Sequence, residues 1–162
     1  MEKRFLAISI LSAAMALPIS YSAQAATSAP MEIMVTVVSS CAVEVTPIDF
    51  GNYNGAQINR TGEVSVACND GVPYAIGLDA GLHYDQANRF MADGAGNMLP
   101  YRLTYAGADW GDNTVTDTYR ADPVTGVGIG IAEAYTVEAM VWANQNASPG
   151  VYTDTVTVTV AF

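Results

Sequence analysis

The chain has 162 residues, with 16 acids against six Lys and Arg, a formal charge of −10, two cysteines and one histidine. A surface this acidic offers no basic patch for nucleic acid or an anionic membrane, and its plainest use is solubility. The length suits one domain with a core of its own.

The first element is a targeting segment. Lys3 and Arg4 form a positive start, Phe5–Leu17 is an apolar run too short to span a bilayer, and Ala23-Gln24-Ala25 has the small-x-small cleavage pattern. Residues 1–25 therefore read as a signal peptide. Two of the six cations and one of the sixteen acids, Glu2, leave with it; the remaining 26–162 carries four arginines, no lysine and fifteen acids. Without lysine, links made through a lysine side chain are excluded, so any polymer of this chain must form without them.

Next comes MEIMVTVVSSC, Met31–Cys41. With a period of two, Met31, Ile33, Val35 and Val37 fall on one face, and Glu32, Met34, Thr36 and Val38 on the other. One reading makes Met31–Val38 the first strand of the chain's own sheet. Cys41 and Cys68 follow in the exported part, where an isolated pair reads as a disulfide worth about 3–4 kcal/mol in the chain-entropy view.

Strand patterns then repeat: Ile48–Gly51, Gly62–Asn69, Tyr74–Gly81, Met98–Ala106, Tyr135–Asn144 and Val151–Phe162, separated by clusters of Gly, Asn, Asp and Pro. No amphipathic helical segments lie between them, which predicts an all-β, Ig-like antiparallel sandwich of about seven strands. Pro100 lacks a ladder donor, so its strand is expected at an edge or starting at Tyr101. Ala92–Asn97 and Gly107–Gly130 read as long surface loops, the second with room for a short hairpin. In the last segment Val156, Val158, Val160 and Phe162 share one face and threonines the other.

Catalytic patterns are lacking. No Gly-x-Ser-x-Gly elbow is present, and one histidine, His83, with no lysine supplies neither a triad nor a lysine base. Gly126–Ala132, GVGIGIA, runs into a strand rather than opening a helix, so it reads as a loop rather than a phosphate cradle. Asp109–Asp117, DWGDNTVTD, lacks EF-hand spacing and reads as an acidic turn, with calcium as the weaker alternative. No enzyme activity, cofactor or metal site is expected. A surface carbohydrate-binding module using Trp110 and the tyrosines stays open as an alternative.

The ordered set of Cys41, Ile48-Asp49-Phe50-Gly51, Cys68, Tyr74–Gly81, Arg89-Phe90-Met91, Leu99-Pro100-Tyr101-Arg102-Leu103 and the closing GVYTDTVTVTVAF, Gly150–Phe162, resembles the spore coat protein U domain family. That family includes pilin subunits of archaic chaperone–usher pili. The resemblance implies an incomplete Ig-like sandwich, 39–162, that lacks its last strand, preceded by a donor-strand extension, 26–38. It further implies that Met31, Ile33, Val35 and Val37 fill a groove lined by Val156, Val158, Val160 and Phe162 of a neighbouring subunit. A periplasmic chaperone, an outer-membrane usher and other pilin subunits are the implied partners, and the surface of a Gram-negative bacterium is the implied location. Adhesion and biofilm formation are the implied roles, with a secreted spore or cell coat protein as the alternative.

Overall fold

The computed structural model describes residues 25–85, 88–113 and 121–162. The expected signal peptide, apart from Ala25, and the Thr114–Asp117 part of the acidic turn lie outside the described residues. The chain divides into two units, Met1–Thr36 and Val37–Phe162. In the first, residues 25–36 carry no strand or helix and their side chains are exposed.

The second unit is all-β among the described residues. Its strands are β1 Cys41–Val45, β2 Ile58–Cys68, β3 Pro73–Leu78, β4 Arg89–Ala92, β5 Met98–Tyr105, β6 Ala108–Asp109, β7 Val124–Val127, β8 Ala132–Val141 and β9 Val158–Ala161. The larger sheet runs β1-β2-β8-β5-β4, with β6 also on β5, and the smaller runs β7-β3-β9. Every ladder is antiparallel. The core forms where period-two patterns put apolar residues inward: Val64 and Val66 on β2, Tyr74, Ile76 and Leu78 on β3, Leu99, Tyr101 and Leu103 on β5, and Val137 and Val141 on β8. Cys41 and Cys68 are directly opposed in the β1–β2 register and form a disulfide, so the expected pairing is present.

Four expectations need correction. Ile48–Gly51 is not a strand: the Asp49 carboxylate accepts from Gly51 N–H at 2.8 Å, and Gly51 sits at φ 73°, which turns the chain. The Pro100 strand starts at Met98 and is internal, paired to both β4 and β8; its β8 ladder begins only at Tyr101, so at Pro100 one flank alone is paired. The stretch from Gly107 is not only surface loop: β6 pairs with β5, β7 pairs with β3, and Trp110 is fully buried. Finally, of Val151–Phe162 only Val158–Ala161 lies in a ladder.

Arg89 is the buried cation that ties these parts together. It is fully buried, and its guanidinium donates from Nε to the Asp79 carbonyl at 2.9 Å and from Nη2 to the carbonyls of Leu78, Asp79 and Trp110 at 2.7–2.9 Å. The Trp110 indole N–H donates to the Ile76 carbonyl at 2.8 Å. The end of β3 and the chain after β6 are thereby held against β4 by side-chain donors, where no ladder is available.

Two carboxylates hold the stretch before β9 in a similar way. Asp79 accepts from Thr157 N–H at 2.8 Å and Gly81 N–H at 3.0 Å. Asp154 accepts from the Tyr101 hydroxyl at 2.6 Å and Leu82 N–H at 2.9 Å, and His83 Nδ1 lies 3.5 Å away. A Cβ on Gly81 would fall 2.2 Å from an Asp154 oxygen, and Gly81 has φ 81°, so only glycine fits there. Burial, with the bond to the Asp154 carboxylate second, raises the Tyr101 phenol well above its ordinary value.

Two predictions follow from this frame. Arg89→Met leaves three backbone carbonyls without their donor and is expected to cost about 3 kcal/mol or more, read as a lower urea midpoint. Because the folded state holds Tyr101 protonated, stability is unaffected below the unfolded phenol's pKa of about 10 and falls as pH rises past it, when the unfolded chain releases the proton. The urea midpoint should drop between about pH 9.5 and 11, and Tyr101→Phe should flatten that drop.

Candidate functional site: an uncovered groove beside the last strand

The site begins with a mismatch between side-chain direction and burial. In the β1–β2 ladder Val43 opposes Val66 and Val45 opposes Val64. Directly opposed residues share a face, so Val43 and Val45 point to the core side, as Val64 and Val66 do. Yet Val64 and Val66 are 1% and 0% exposed, whereas Val43 and Val45 are 41% and 56% exposed. The inner face of the sandwich is closed over β2 and open over β1.

The same condition holds on the other side of the opening. Val156, Val158 and Val160 are half-buried and pack on the core, alternating with exposed Thr155, Thr157 and Thr159. β9 is an edge strand: it pairs with β3 and with no other strand among the described residues. Residues 154–157 keep this alternation without belonging to a ladder: β3 ends at Leu78, and beyond it Asp79 bonds Thr157 through its N–H and its carboxylate. β1, at the edge of the larger sheet, approaches β9, at the edge of the smaller. Between them lies a candidate groove, bounded by these valines and by an edge of β9 that pairs with no strand among the described residues.

Of the four residues expected to line a groove, Val156, Val158 and Val160 lie half-buried on one face of the C-terminal segment. Phe162 does not: it is 60% exposed and borders a shallow depression with Pro73, Tyr74 and Ala161 on the outer side of the smaller sheet. Val43 and Val45 were missed, although the alternation in CAVEV just after Cys41 is their signal. Met31, Ile33, Val35 and Val37 are 79–90% exposed, and so are Met34 and Val38 at 87% and 71%. Met31–Val38 is not a strand of the chain's own sheets.

The remaining candidates carry little chemistry. His83 lies beside the Asp154 carboxylate, whose other oxygen accepts from the Tyr101 hydroxyl. Trp110 is enclosed by Tyr105, Tyr135 and the core, so it offers no exposed face for a sugar ring. GVGIGIA forms the end of β7 and the turn into β8. Asp109 pairs with Arg102, and among the described residues no group of three or more His, Cys, Asp or Glu is arranged to hold a metal ion. No helix among the described residues is long and apolar enough to cross a membrane.

A chain of the CsuC–CsuE chaperone–tip adhesion subunit pre-assembly complex, from archaic chaperone–usher Csu pili of Acinetobacter baumannii, superposes with a TM-score of 0.60 at 22% identity. The match covers 78% of this chain and 41% of that one, so this chain spans well under half of its length. The minor tip subunit HdaB of the E. coli Hda pilus matches with a TM-score of 0.38 at 14% identity, over 74% of this chain and 79% of that one. No curated protein matches. The Spore Coat Protein U domain matches residues 27–159, most of the chain, and the chain belongs to that family.

Proposed function

We propose that this protein is a structural subunit of a surface fibre, and that Met31–Val38 of one copy completes the sandwich of the next by donor-strand complementation. One observation carries the reading: core-facing valines are exposed on β1 and only half-buried in the C-terminal segment, while an apolar segment of strand length just before β1 is exposed. The groove needs a strand, and Met31–Val38 needs a groove. An added strand satisfies the open edge of β9 through main-chain bonds and fills the gap with alternate side chains.

The magnitudes suit assembly. Burying Met31, Ile33, Val35 and Val37 contributes about 1.5–3 kcal/mol each, together comparable to the whole stability of a small domain. An open apolar groove of this size makes a free subunit prone to aggregate, so a periplasmic chaperone that covers it before polymerisation is part of the proposal. So are an outer-membrane usher, removal of residues 1–25 on export, and display on the surface of a Gram-negative cell. Adhesion and biofilm formation are the roles such a fibre serves. The similarity of fold to a chain from a chaperone–pilus subunit complex supports this assignment.

The test is polymerisation. Ile33→Asp with Val35→Asp places carboxylates at inward positions, where an unpaired charge costs several kcal/mol, about a hundredfold or more in donor affinity. Secreted fibre should disappear while the subunit still accumulates in the chaperone-bound form. Deleting Ala26–Val35 should do the same. Normal fibre growth from either variant would contradict the proposal.

A further inference from the structure

The C-terminal segment runs toward the end at which the chain enters β1, and this bears on how two subunits meet. Cys41 opens β1 opposite Cys68, so the extension leaves the domain at the end that also holds the β7–β8 turn. Gly130 N–H donates to the Cys68 carbonyl at 3.1 Å, and Asn69 N–H to the Ser40 carbonyl at 3.1 Å, which keeps that turn beside the exit. A Cβ on Gly128 would fall 2.3 Å from the Asn69 carbonyl oxygen, so glycine is what lets the turn lie so close. The two isoleucines of the turn project outward, Ile129 54% and Ile131 65% exposed.

The C-terminal segment starts at the other end. Ala161 pairs with Ala75 near the exit end, Val158 with Leu78 further along, and Thr153 bridges Ala92 beyond that. Around its start lie Leu82, whose N–H donates to Asp154, and Val151; they are 69% and 82% exposed. This is a second uncovered apolar cluster, and the groove reading does not use it.

A donor antiparallel to the C-terminal segment pairs seven residues, 31–37, with seven, 156–162, putting Met31 near Phe162 and Val37 near Val156. Its subunit then lies at the Val151 end of the acceptor. A parallel donor would emerge instead where the acceptor's own extension leaves, and the two would compete for the same space. From Val37 to Cys41 is four residue steps, about 14 Å at full stretch. The exit end of the donor subunit is therefore drawn against the far end of the acceptor.

Resting on the donor-strand reading, we infer that successive subunits also make a direct apolar contact: Ile129 and Ile131 of the donor subunit against Leu82 and Val151 of the acceptor. The partner is a second copy of this chain, and the contact forms only after donation. It gives the glycine-rich turn a use and makes each junction a two-part joint, one strand inserted and one pair of end surfaces touching.

Cross-linking the full-length protein in fibres tests this. Leu82→Cys with Ile131→Cys, both at exposed positions, treated with a short bismaleimide, should give a ladder of covalent multimers; Val151→Cys with Ile129→Cys is the independent second pair. Ile131→Cys alone should give none. The ladder should vanish when Ile33→Asp and Val35→Asp are added, because no junction forms. Fibres that assemble but yield no ladder from either pair, or dimers from Ile131→Cys alone, would overturn the contact while leaving donation intact. Fibres that assemble despite Asp at 33 and 35 would instead overturn the donor-strand reading beneath it.

Discussion

The fold depends on one unmet requirement: the open edge of β9, the exposed Val43 and Val45, and Val156, Val158 and Val160, which the core covers only in part. A sandwich buries both inner faces or leaves apolar area and backbone groups in water. Here the larger sheet is complete enough to bury Val64, Val66 and Val141, and the smaller sheet has only three strands to cover it. The shortfall is local, since it falls on the two strands that flank the groove.

The rest of the molecule compensates for that gap with side-chain bonds in place of ladders. Arg89 gathers the carbonyls at the end of β3 and at Trp110. Asp79 and Asp154 fix the run-in to β9, and the Cys41–Cys68 disulfide fixes the opposite wall at β1. Both walls are therefore built before any partner arrives. Pre-formed walls remove the acceptor's share of the ordering cost of adding a strand, leaving only that of the inserted segment.

The strands β2, β3, β5 and β8 were legible in the sequence because each alternates over at least six residues with Val, Ile, Leu or Tyr on the inner face. β4, β6 and β7 were not, being two to four residues long, too short for alternation to stand out from a loop. Nor was the burial of Arg89 and Trp110, which depends on carbonyls brought together from distant parts of the chain. The valines of the C-terminal segment were visible because threonine alternates with them. Phe162 followed the same pattern but lies past the last paired residue of β9, where alternation no longer decides which way a side chain faces.

Amide hydrogen exchange read by mass spectrometry, on the subunit before and after polymerisation, tests the central claim most directly. Segment 31–38 should exchange freely beforehand, and 156–162, bonded along one edge only, should be partly protected; both should gain protection together in the fibre, with β2 and β8 unchanged. Protection of 31–38 already in the isolated subunit, or free exchange of 31–38 within assembled fibres, would contradict it.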